Sequence, residues 1–180
     1  YEKELFKKGD FSLALEFAEK FINHSHHLMH KATGWMLREV GKRDKELLKG
    51  VIGYVPQDDM LNEELTVQEN LMFNARLIFD GKSHEEQKQL VEKALSDFDL
   101  VEARNLKVGT PLNKILSGGQ RKRLNIALEL MREPSVLFVD EPTSGLSSLD
   151  SEKVMMLLKR QVLKGKLVII NIHQPNSDLY

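Results

Sequence analysis

Two short stretches of this 180-residue chain carry residue types that could do chemistry at useful spacing. The first is Ser117-Gly118-Gly119-Gln120. Ser117 can cap a helix, and Gln120 stands three residues on, as a capping box requires. Two glycines let the backbone approach a ligand closely, and the free N–H groups at a positive helix end attract an anion. The second stretch begins at Val136 and runs Leu137-Phe138-Val139-Asp140-Glu141. A short apolar run ending in two carboxylates reads as a buried parallel strand that delivers acids to its C-terminal edge.

Those residues need a scaffold, and the sequence from Val51 onward alternates as an α/β protein does. Val51–Val55 is an apolar strand. Thr66–Ile78 is a helix opened by a Thr66/Glu69 capping box, and Ser83–Phe98 a second opened by Ser83/Glu86. A third runs from Ser117 to about Arg132. The strand to Asp140, a helix over about Leu149–Leu163 and a strand over Leu167–Ile172 follow. Strands separated by helices imply crossovers and a parallel sheet of about three strands. Pro56, Pro142 and Pro175 each sit within two residues of a strand end, where a missing N–H stops the ladder.

Composition changes near Gly50. Residues 1–49 hold no proline, four of the six histidines and the single tryptophan, with ten Lys/Arg against eight Asp/Glu. Phe11, Leu15, Ala18 and Ile22 repeat at helical spacing, as do Leu28, Ala32, Trp35 and Met36. A small all-α hairpin over 1–49 therefore precedes the α/β part over 50–180. The net charge of −1 gives no global pull toward nucleic acid or an anionic bilayer. Absence of cysteine excludes disulfides and thiolate metal sites. No apolar run reaches the roughly 20 residues of a membrane-spanning helix, and no signal peptide is visible behind the charged start. The chain does not begin with Met, as a fragment would not.

The stretch LSGGQRKRLNIALELMREPSVLFVDEPTSGL resembles the ATP-binding domain of ABC transporters, most of all the white or G-type subfamily. The resemblance covers residues 50–180, with the motifs in family order. Gly53–Asp59 resembles the Q-loop, Ser117–Gln120 the signature turn, Asp140-Glu141 the Walker B pair, and Ile172-His173-Gln174-Pro175 the H-loop. It implies a partial P-loop-type sheet and ATP with Mg²⁺ as cofactors. In-line hydrolysis needs a phosphate cradle, a Mg²⁺ ligand, a residue acting on water and a γ-phosphate sensor. Asp140 and Gln57 would hold Mg²⁺, Glu141 would polarise the attacking water, and His173 would sense the γ-phosphate. Ser117, Gly118, Gly119 and Gln120 would contact nucleotide. The implied partners are a second ABC ATPase domain, bound as a dimer in trans, and a transmembrane transporter subunit. Such a protein sits in the cytoplasm, peripheral to the membrane through that partner.

Two departures from the family stand out. The Walker A pattern G-x-x-x-x-G-K-[ST] occurs nowhere in the sequence. At Gly81-Lys82-Ser83 the position five before Gly81 is Arg76, and a turn with Ser83 as helix cap describes that stretch better. The cradle supplies most of the grip on a triphosphate, so the chain alone is expected to bind ATP very weakly and not to hydrolyse it. Ser147 also stands where the family's D-loop usually has Asp, with Asp150 three residues late.

Residues 28–44, including Trp35, are similar to a C-terminal segment of AlkD-like DNA alkylation repair proteins, which are HEAT-like solenoids. That resemblance implies a DNA-binding helical module; the plainer reading is a hairpin with Trp35 packed in a core or interface. His26 and His30 have a workable zinc spacing, without a nearby carboxylate or cysteine. Arg121-Lys122-Arg123 reads as the solvated face of the signature helix. Four functional readings remain: a truncated ATPase subunit, a non-catalytic partner donating the signature turn in trans, a DNA-binding module, and a join of pieces from two genes near Lys49–Val51.

Overall fold

A computed structural model of the chain describes residue 16 and residues 51–110 and 115–172. The expected hairpin over 1–49, with Trp35 and the histidine cluster, and His173 lie outside the described residues. Three strands, β1 (Ile52–Val55), β2 (Val136–Asp140) and β3 (Leu167–Asn171), form a parallel sheet in the order β1-β2-β3. The acid-bearing strand is therefore central. Between β1 and β2 come α1 (Val67–Ile78), α2 (His84–Asp97) and α3 (Gly118–Leu130), and α4 (Ser148–Leu163) joins β2 to β3. No described helix is long and apolar enough to cross a membrane.

Local sequence explains where the helices start. Thr66, Ser83 and Ser117 each accept from the backbone N–H three residues on, and Glu69, Glu86 and Gln120 each reach back to the cap's own N–H. Ser147 caps α4 and accepts from the Asp150 N–H. A cap contributes about 1 kcal/mol, whereas burying one large apolar side chain contributes roughly 1.5–3 kcal/mol. Packing therefore holds α3, whose first turn contains two glycines. Its Leu124, Ile126, Ala127 and Leu130 are all buried.

Alternate strand residues divide the sheet. Val55, Leu137, Val139, Val168 and Ile170 share one face and join the core with Leu124, Ile126, Val154, Leu157 and Leu158. Helix α3 packs on β1, α1 and α4, and α4 packs on β3. β1 lies close under α3 because Gly53 has no side chain. A Cβ there would stand 3.1 Å from Cγ of Glu129 in α3, and 2.8 Å from Pro134 Cγ just beyond it. On the other face Tyr54, Phe138 and Ile169 pair in register and are exposed.

Candidate functional site

The parallel register brings the C-terminal ends of all three strands to one edge, where ligands of open α/β sheets bind. Gln57 follows β1 by two residues, Asp140 ends β2, and Glu141 comes next. Gln57 Nε2 donates to Glu141 Oε2 at 3.0 Å. These expected site residues are thus brought together. The Gln57 oxygen Oε1 keeps its acceptor capacity.

A residue that sequence reasoning passed over fixes both acids. Asn171, at the end of β3, is the register partner of Asp140. Its Nδ2 donates to Asp140 Oδ1 at 2.8 Å, and its carbonyl accepts from the Glu141 N–H at 2.9 Å. A polar residue interrupting Val168-Ile169-Ile170 was the available signal. Its partner could be named only once the strand pairing was known. Glu141 adopts φ 42°, in the left-handed region that non-glycine residues rarely occupy. Such strain amounts to about 1–3 kcal/mol and concentrates at functional positions.

The signature turn opens α3 as the capping box requires. Its two glycines do different work. A Cβ at Gly119 would stand 2.2 Å from Asp150 Oδ1, so Gly119 admits the Asp150 carboxylate rather than a ligand. A Cβ at Gly118 would meet Leu146 Cδ2 at 3.0 Å and the Gly145 carbonyl oxygen at 4.0 Å, and Gly118 is exposed. Close approach of an anion is therefore a property of Gly118 and Ser117. Asp150 in turn accepts from Ser147 Oγ at 3.2 Å and lies 3.5 Å from Arg123 Nη1. The carboxylate displaced from the D-loop position thus ties the start of α4 to α3.

Arg121, Lys122 and Arg123 are not a solvated face: their side chains are only 8%, 6% and 5% exposed. Helix α3 is enclosed by β1, α1 and α4, so its polar positions are buried with the rest and must find partners. Arg121 Nε donates to Asp59 Oδ2 at 3.1 Å, and its Nη1 to the carbonyls of Val108 and Gly109 at 3.1 and 2.7 Å. Lys122 Nζ donates to the carbonyls of Gln57 and Pro56 at 2.8 and 3.2 Å. Arg123 donates to the carbonyls of Phe98 and Asp99, which satisfies the negative C-terminal end of α2. Burial pulls the Lys122 ammonium below its ordinary pKa, and the Asp59 carboxylate partly offsets this.

Could this edge hold the magnesium that the sequence implies? Asp140 and Gln57 are hard oxygen donors, and Asp140 Oδ1 is already oriented by Asn171. Magnesium binds through one or two carboxylates plus waters and substrate phosphates. The donor chemistry fits, and no group of three or more metal-binding side chains exists among the described residues to suggest another ion. A triphosphate fits less well, because the sequence contains no Walker A cradle. Asp140 and Gln57 are the residues that would hold the cation.

Comparison with known sequences gives a family match and several relatives. The family model described as ABC transporter matches residues 22–144. ABC transporter G family member 28 of Arabidopsis thaliana is 40% identical over 149 residues, 82% of this chain and 13% of that protein. The broad substrate specificity ATP-binding cassette transporter of Bos taurus is 42% identical over 129 residues, 71% of this chain and 20% of that protein. ABC transporter G family member 7 of Dictyostelium discoideum is 40% identical over 159 residues, 83% of this chain and 20% of that protein. The chain thus spans only 13% to 20% of the length of these relatives.

Proposed function

Since the chain belongs to the ABC transporter ATP-binding family, with homologues in the G family, we propose that it works as the signature-bearing part of a transporter ATPase. In this reading it serves in the cytoplasm, at the membrane face, beside a transmembrane transporter subunit. It completes the ATP·Mg²⁺ site of a second ABC ATPase domain in trans and does not hydrolyse ATP alone. The observation that carries the reading is an asymmetry. Gln57 bonds to Glu141, Asn171 bonds to Asp140 and Ser117 and Gln120 cap a helix, while the sequence has no Walker A pattern.

A turn that acts on nucleotide held by another subunit has no need of a cradle in its own chain. Ser117 and Gly118 offer backbone N–H groups and a hydroxyl at a positive helix end, suited to a phosphate presented from outside. His173 would add a γ-phosphate contact. The proposal keeps a change of character near Gly50, with the family match itself beginning at residue 22.

The test is co-assembly. The chain is mixed with an intact G-type ATPase domain whose own signature turn has been disabled, and ATP turnover is measured. Turnover should rise on mixing and should vanish with Ser117→Arg. No rise, or a rise indifferent to Ser117→Arg, would refute the proposal.

A further inference from the structure

Lys122 is a buried lysine that the scheme above leaves without a task. Its ammonium faces the Gln57 carbonyl at 2.8 Å, the Pro56 carbonyl at 3.2 Å and Asp59 Oδ1 at 3.8 Å. Asp59 Oδ1 is itself buried and takes no hydrogen bond, so the nearby ammonium is what compensates it. Next along the helix, Arg121 holds the other oxygen of the same carboxylate. Two consecutive cations of α3 therefore grip one loop, Pro56–Asp59, from beneath. The side chain of Gln57, the second residue of that loop, reaches Glu141.

We propose that Lys122 is a positioning residue that sets the contact between Gln57 and Glu141, and so couples the signature turn to the acid pair. Lys122 lies two residues past the turn on the same rigid helix. A displacement of the turn carries the ammonium with it, and the ammonium carries the Gln57 backbone. Two charge-assisted hydrogen bonds to successive carbonyls fix the two peptide planes that flank Gln57 more firmly than one neutral bond would. The device is a lever of fixed length: turn, ammonium, loop carbonyls, amide, carboxylate. The inference rests on the proposed function for its meaning but not for its test.

That test needs neither nucleotide nor partner. The side-chain amide resonances of Gln57 and Asn171 are recorded in the full chain. Glu141→Ala marks where the Gln57 amide resonates once its acceptor is gone. In Lys122→Met the Gln57 amide should move toward that position, while the Asn171 amide, bonded to Asp140, stays in place. Lys122→Gln keeps one donor without the charge, guards against loss of the fold in the methionine variant, and should shift the amide part of the way. The chain has no cysteine. Lys122→Cys, alkylated in the unfolded state to an aminoethyl thioether and refolded, should therefore restore the ammonium and the native resonance. A Gln57 amide unmoved in folded Lys122→Met or Lys122→Gln would overturn the proposal. So would equal shifts of both amides, which would mark a general loosening. If the resonances behave as expected and co-assembly fails, the positioning stands and the transport reading falls.

Discussion

Gln57 and Glu141, 84 positions apart in sequence, meet through one hydrogen bond of 3.0 Å at the sheet edge. The bond joins the loop after β1 to the residue after β2, across the strand pair that the register aligns. It joins two residues to which the proposed function gives the handling of water and cation, in a sequence without the Walker A pattern.

That imbalance sets the first expectation. Each charge-assisted hydrogen bond of a phosphate cradle contributes about 1.5–3 kcal/mol, and several are missing. Titration of the chain alone with ATP and Mg²⁺ should show binding far weaker than micromolar and no phosphate release. A micromolar dissociation constant would refute this.

The two signature glycines should separate on substitution. Gly119→Ala drives a methyl into the Asp150 carboxylate, with an overpacking penalty of about 1–3 kcal/mol. Gly118→Ala presses on the flexible end of the Leu146 side chain, touches the Gly145 carbonyl at ordinary contact distance, and should leave stability within about 0.5 kcal/mol. Gly118→Ala should nonetheless depress turnover in the co-assembly assay, because it crowds the exposed start of the helix that the proposed function turns toward the phosphate. Equal melting temperatures for the two variants would contradict the packing described.

Asn171 should matter through Asp140. Removing a partner that orients a metal ligand commonly weakens metal affinity by about 10–100-fold. Asn171→Ala should therefore raise the Mn²⁺ concentration needed to broaden resonances around Asp140 by about tenfold. Unchanged broadening would rule out a positioning role for Asn171.

The capping carboxylates predict a response to acid. Hydrogen bonds from the Thr66 backbone and hydroxyl hold the Glu69 pKa below its ordinary value of 4.5, and those from the Ser83 hydroxyl and backbone do the same for Glu86. A depressed folded pKa means that the contribution is fully present above 4.5 and is lost as pH falls through the lowered value. Thermal melts taken downward from neutral pH should fall in that window. A Glu69→Gln, Glu86→Gln double variant should show a flatter decline, and an unchanged slope would argue against the caps as its source.

Arg123→Met separates the two readings of the basic run. A solvated face would lose no more than about 0.5 kcal/mol. A buried guanidinium bonded to the end of α2 and to Asp150 should cost about 2–4 kcal/mol on removal, since carbonyls and a carboxylate are left unsatisfied. Denaturant unfolding measures the difference directly.

Much of the scaffold was legible in the residues. The apolar runs read as ending at Val55, Asp140 and Ile172 are strands, the last stopping one residue early at Asn171, and the Thr66/Glu69, Ser83/Glu86 and Ser117/Gln120 pairs open helices as read. Such features are local, and local rules suffice for them. The burial of Arg121, Lys122 and Arg123 was not legible, because it depends on neighbours surrounding α3 on several sides. Periodicity assigns cations to water unless a partner is known, and the partners here are mostly backbone carbonyls, which leave no mark on the side-chain pattern. Asn171 escaped for a related reason: its meaning lies in a register, and register is set by strands far apart in the chain.

The left-handed backbone at Glu141 has a consequence for anyone who improves this protein by selection. Glycine adopts φ 42° without steric penalty, and relief of that strain is worth about 1 kcal/mol. A screen for heat resistance alone should therefore enrich Glu141→Gly among its first winners. Each winner would gain robustness by deleting the carboxylate that meets Gln57. Selection for endurance and selection for chemistry pull this single position in opposite directions.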